Sequence, residues 1–264
     1  MDVQWPLVVF TTLVGLGAGL IVGVALNSFA KKTDKVDFTA SVIALIAVVA
    51  GGFASVLHLS HPDRIFAALG HPTLGIFTEA LLTGLLIVAI VILLILMARK
   101  ASDGAKKAVA AIGGAIAILI MFMLGYSYIM PARPAWDTVL LPLTYFATGA
   151  AMGLSAYLLL CVVKDKDNAE ARKFSGVVAL AACALAFVLV LAFCAASGAF
   201  SANALLAIVV VVCLLAAGIA AWFASKKGSG GMAVTVVIIA VAGAFLFRIL
   251  MWLLGAPTIN FFGF

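Results

Sequence analysis

The ionisable side chains that this sequence sets within or at the edge of its long apolar stretches are few: His58, Glu79 and Arg248. Charge inside a bilayer is expensive, so each such group is a candidate for function. A neutral imidazole with an ordinary pKa of about 6.5 can accept a proton near neutrality. A carboxylate can accept or relay a second, and a nearby cation favours its ionised form. Around these residues stand Ser60-His61-Pro62-Asp63-Arg64, His71-Pro72 and Tyr126-Ser127-Tyr128. Each residue taken singly also has a plain structural role available. Glu79 can complement a positive helix N-terminus, Arg248 can snorkel to headgroups, and His58 can end a helix. Their grouping on one side of the membrane favours a shared site.

Only a membrane can position these groups. The 264 residues are 66% hydrophobic and 10% charged, which excludes an ordinary soluble domain. Apolar runs of about 20 residues, enough to cross a hydrocarbon core at 1.5 Å per residue, follow one another with short polar breaks. The sequence predicts eight: Leu7–Ala30, Phe38–His58, Leu74–Ala98, Lys106–Ile129, Thr138–Val163, Phe174–Ala196, Asn203–Ala224 and Met232–Leu254. They are continuously apolar and lack the alternation of a barrel strand. The expected fold is all-α, an eight-helix transmembrane bundle forming one membrane anchor domain over residues 1–264, with no internal repeat. Met1-Asp2-Val3-Gln4-Trp5 lacks the basic start of a secretory signal, so the first span is expected to persist.

Loop charge sets the threading. Thirteen of the sixteen basic residues lie around Lys31-Lys32-Lys35, Arg99-Lys100-Lys106-Lys107, Lys164-Lys166-Arg172-Lys173 and Lys226-Lys227, against Arg64 and Arg133 on the alternate side. The positive-inside rule turns the first set to the cytoplasm and both termini outward. Glu79, His58 and Arg248 then belong to the outer half, Glu79 and Arg248 roughly 7 to 10 Å below their helix ends. Trp5, Trp136 and Trp252 fall at the same interface, where indoles prefer to sit. Gly15, Gly19 and Gly23 in the first span, and Gly149 and Gly153 in the fifth, offer smooth stripes for close helix approach.

Other chemistries are disfavoured. His58, His61 and His71 crowd around one outer loop, so no pair of axial histidines spans two distant helices for haem. Cys161, Cys183, Cys194 and Cys213 lack metal-binding spacing and read as small buried hydrophobes. No metal site is expected. The basic residues are topology determinants and form no nucleic-acid patch.

At these positions the chain resembles the membrane anchor subunits of the dimethyl sulfoxide reductase family, the DmsC-type anchors of bacterial molybdopterin oxidoreductases. The resemblance is carried by Gln4-Trp5-Pro6-Leu7-Val8-Val9-Phe10-Thr11, by Ala54-Ser55-Val56-Leu57-His58-Leu59-Ser60-His61-Pro62-Asp63-Arg64-Ile65-Phe66, by Phe77-Thr78-Glu79-Ala80 and by Pro134-Ala135-Trp136. It implies a multi-pass protein of the bacterial cytoplasmic membrane that oxidises menaquinol and passes electrons to an iron–sulfur subunit docked on its outer face. A molybdopterin catalytic subunit lies beyond, and the anchor itself carries no haem. The resemblance maps the quinol site onto His58 and Glu79, with Arg64 from the same motif. Arg248 and Tyr128 join as quinol-binding candidates by location alone. Electron flow in the opposite sense, through a quinone-reducing anchor of the NrfD and polysulfide reductase type, is compatible with the same residues. A small-solute transporter would instead distribute polar groups through the membrane depth.

Overall fold

The computed structural model describes residues 3–57 and 75–255. Among them are the helices α1 (Trp5–Ala30), α2 (Asp37–Val56), α3 (Gly75–Ala98), α4 (Asp103–Tyr126), α5 (Leu140–Lys164), α6 (Ala169–Ala196), α7 (Ala199–Ala202), α8 (Ala204–Lys227) and α9 (Gly230–Leu254). All but α7 are long and apolar enough to cross a membrane, matching the eight spans expected from the sequence. The addition is α7, a single turn that begins after Gly198, whose φ of 72° lies in the left-handed region.

Local chemistry explains the helix ends. Pro6 occupies the first turn of α1, where its missing N–H leaves no acceptor unsatisfied. Ser102, Asn168 and Ser229 accept from Ala105 N, Ala171 N and Met232 N and so cap α4, α6 and α9. Gly228 closes α8 at a φ of 63°.

The helices pack in two similar sets. In the first, α1, α2, α3 and α4 each touch the next and α4 returns to α1; α5, α6, α8 and α9 repeat that order. The sets meet where α1 lies against α5, flanked by α4 on α5 and α1 on α9. No repeat was expected from the sequence, yet α1 and α5 open with a shared Pro-Leu-x-x-Phe-x-Thr, at Pro6 to Thr12 and at Pro142 to Thr148. That is too short to register as a period, and the likeness lies mainly in packing order.

The two glycine stripes, each read from the sequence as a face for close helix approach, meet each other at this seam. A Cβ on Gly19 would stand 2.5 Å from the Gly149 carbonyl, and one on Gly153 would collide with the Gly19 backbone. Lipid tails are as apolar as leucine, so such backbone contact supplies dispersion that burial of apolar surface cannot. Accordingly α1 and α5 are the most enclosed spans, 72% buried each, against 28% for α3.

The basic loops are tied across the two sets. Lys32 pairs with Glu170 at 2.9 Å and Lys35 with Asp165 at 3.0 Å, while Asn168 Nδ2 donates to Lys32 O at 2.7 Å. The Lys35 ammonium holds the Asp165 carboxyl below the usual carboxylate range, chiefly through that hydrogen bond. Beneath them Tyr157 Oη donates to Asp37 at 2.6 Å. The four cysteines are free thiols, three buried and Cys213 half-buried, as expected of packing residues.

Candidate functional site

The opposite end of the bundle, beyond the tryptophans, gathers most of the remaining polar chemistry. Arg248 has no exposed surface. It does not snorkel outward: Nε donates to Thr11 Oγ1 at 3.0 Å, Nη2 to Thr11 O at 3.1 Å, and Nη1 to Ala244 O at 2.8 Å and Thr148 Oγ1 at 3.5 Å. Each threonine gives its own proton to the helix backbone, Thr11 to Val8 O at 3.3 Å and Thr148 to Thr144 O at 2.7 Å. A lone pair is thereby left facing the guanidinium. Arg248 thus bolts α9 to α1 and α5 where the two helix sets join.

The guanidinium also lies 4.9 Å from the centre of the Tyr145 ring, a cation–π contact in a dry setting. Tyr145 is buried, and among the described residues its Oη has no hydrogen-bond partner, although Thr11 is its neighbour. An unpaired buried hydroxyl costs about 1–3 kcal/mol. Tyr128 sits 5.9 Å from Tyr145, 5.6 Å from Trp136 and 5.7 Å from Trp252, ring centre to ring centre. Trp136 and Trp252 meet edge to face at 5.1 Å, and Trp136 Nε1 donates to Met251 O at 2.8 Å. Arg133 covers this cluster from outside, 4.3 Å over Trp136 and donating to Gly255 O at 3.0 Å.

Glu79 approaches from α3, half-buried, with Ser127 at the end of α4 as its polar side-chain neighbour. The Ser127 hydroxyl donates to Met123 O at 3.0 Å. Tyr128 and Tyr145 both feel the charges of Glu79 and Arg248. Burial first, then Tyr145 and Glu79, push the Tyr128 phenol well above its ordinary range and outweigh Arg248; it remains a neutral donor.

Of the residues singled out in the sequence, the structure therefore brings Glu79, Tyr128 and Arg248 to one end. Glu79 and Arg248 form no ion pair; Arg248 turns instead to neutral oxygens. His58 and Arg64 lie outside the described residues. The sequence reading missed Tyr145, Thr11 and Thr148. Hydroxyl side chains at matching depth in the two helices that share a glycine seam were the available signal. Chemically, the end offers a carboxylate, two phenols and a fixed cation beside a packed aromatic cluster.

Comparison with known proteins completes the description. A model of the DMSO reductase anchor subunit (DmsC) family matches residues 1–254. The chain is also 26% identical over 192 residues to the anaerobic dimethyl sulfoxide reductase chain YnfH of Escherichia coli (strain K12), an overlap of 70% of this chain and 68% of that protein.

Proposed function

Because this chain belongs to the DMSO reductase anchor subunit family, a multi-pass membrane anchor for the catalytic and iron–sulfur subunits of a molybdopterin oxidoreductase, we propose that it oxidises menaquinol at the end of the bundle that holds Glu79. One observation carries the proposal. A carboxylate, two phenols and a buried guanidinium converge beside an aromatic cluster, in a chain whose family works next to redox partners.

Oxidising a quinol removes two electrons and two protons. Neutral His58 takes one proton and the Glu79 carboxylate the other, and Arg64 is assigned to the same site by its motif. Tyr128 stays protonated and can donate to a ring oxygen. Arg248, fixed by Thr11, offsets negative charge developing on the ring as its protons leave. Buried Trp136 and Trp252 pack against the Tyr128 ring and hold it in place, and the apolar helices take the isoprenoid tail. The two electrons pass to the iron–sulfur subunit, docked on this same face; the anchor holds no haem and molybdopterin resides in the catalytic subunit. By the positive-inside rule this face, with both termini, is the outer face of the bacterial cytoplasmic membrane.

The test is turnover of a reduced menaquinone analogue by the purified complex carrying Glu79→Gln or His58→Ala. Both variants are expected to assemble fully and to lose turnover by about 100-fold or more, the usual scale for a lost general base. Normal turnover of Glu79→Gln would reduce the chain to a purely structural anchor.

A further inference from the structure

At the basic end, a cavity of about 810 Å³ opens between α1, α2, α3 and α4. This is within the range of small-molecule sites, about 300–1,000 Å³. Buried Val24 of α1, Leu93 of α3 and Ala110 of α4 close its floor, and Met97 of α3 with the exposed Phe38 of α2 gives the accessible apolar surface above. From Asp103 at the rim to Ala110 the helix descends roughly 10 Å. The rim is charged, with Lys31 and Lys32 on one side and Lys106 and Lys107 on the other, together with Asp34, Asp37 and Asp103.

Most of the rim charge is already committed. Asp103 pairs with Lys106 at 2.8 Å and Lys32 with Glu170 at 2.9 Å. Asp37 accepts from Tyr157 at 2.6 Å on one oxygen and from Asn27 at 2.8 Å on the other. Lys31 and Lys107 remain, neither with a carboxylate in ion-pair range among the described residues; Lys107 Nζ rests 4.2 Å over the Phe29 ring. Two exposed carboxylates share the rim with them, Asp34 beside Lys35 and Asp103 paired with Lys106. The rim is also held in shape. Lys31 takes a left-handed φ of 50° at the end of α1, and buried Asn27 Oδ1 accepts from Lys32 N at 3.0 Å and Thr33 N at 3.3 Å.

Two cations without a carboxylate partner beside an accessible apolar surface suit one class of ligand. We propose that this cleft binds an anionic phospholipid, its phosphate between Lys31 and Lys107 and one acyl chain along Met97 and Phe38. A free anion would leave the apolar surface unused, and a zwitterionic lipid would bring its own cation to the lysines. Basic recesses between transmembrane helices at the cytoplasmic face are suited to such headgroups. The inference needs only that the chain spans a bilayer, and it is independent of the quinol site.

The experiment is native mass spectrometry of the detergent-purified complex, incubated with phosphatidylglycerol, with phosphatidylcholine of the same acyl chains, or with inorganic phosphate. Wild type is expected to retain phosphatidylglycerol about tenfold better than phosphatidylcholine, and Lys31→Gln/Lys107→Gln to lose that preference. Asp34→Asn, which removes an exposed carboxylate from the rim, should raise retention and serves if the double variant fails to assemble. Equal retention of the two lipids by wild type, an unchanged preference in the double variant, or unchanged retention by Asp34→Asn overturns the proposal. Displacement of phosphatidylglycerol by inorganic phosphate overturns it too, by assigning the rim to a free anion.

Discussion

Arg248 carries a full charge into a region without exposed surface, and neutral oxygens receive it. Removing such a charge for a well-packed apolar group is often nearly neutral for stability, so its retention points to a use beyond holding helices together. Tyr145 makes the same point from the opposite side, since among the described residues its buried hydroxyl lacks the partner that folding alone would demand. Tyr145→Phe should therefore leave the unfolding temperature of the complex unchanged or raised, while KM for the quinol analogue rises about tenfold, equivalent to ~1.4 kcal/mol of lost binding. A lowered unfolding temperature with unchanged KM would make the hydroxyl structural. The sequence exposed Glu79 and Arg248 because carboxylate and guanidinium stand out against an apolar run. Tyr145, Thr11 and Thr148 did not stand out, because hydroxyl side chains in a transmembrane helix satisfy themselves on its backbone and carry no such penalty.

Among the elements, α1 and α5 are the axis, and their glycine seam was legible from the four-residue spacing of Gly15, Gly19 and Gly23. Its partner was not, since spacing shows a smooth face without saying which helix meets it. Gly153→Leu would place side-chain atoms where the Gly19 backbone already lies, and overpacking of this kind costs about 1–3 kcal/mol or more. Gly84 on α3 offers the control, because nothing lies within 4 Å of a Cβ there. In a thermal denaturation series of the detergent-purified complex, Gly153→Leu should lower the midpoint markedly and Gly84→Leu should not. Equal midpoints would show that the seam bears no such load. Span boundaries were read to within a few residues, whereas α7 was missed because one turn carries no hydrophobic period.

Across the whole molecule, charge is divided between two ends. One end clasps the loops of both helix sets through Lys32–Glu170 and Lys35–Asp165, and the other holds the aromatic cluster with Glu79 and Arg248. If quinol protons and electrons both leave on the same face, as proposed, turnover moves no net charge across the bilayer. Proteoliposomes containing the complex and a potential-sensitive dye should then show quinol-dependent turnover with no membrane potential from this step; a sustained potential would contradict the outward release of protons. Eight spans and their alternating loop charge were readable from composition because a bilayer constrains length and polarity so strongly. The doubling of the packing order was not, since lipid-facing and seam-facing positions tolerate many apolar residues and only the short Pro-Leu-x-x-Phe-x-Thr likeness survives in the sequence.

The bond from Arg248 to Thr11 joins residues 237 positions apart, and this has a bearing on how the protein is made. The helix bearing the guanidinium leaves the ribosome after the helix that receives it. An arginine near the centre of an isolated helix costs about 2.5–3.5 kcal/mol at the translocon, less toward the interface. The threonine oxygens of α1 and α5 that relieve this cost are translated well before the charge that needs them.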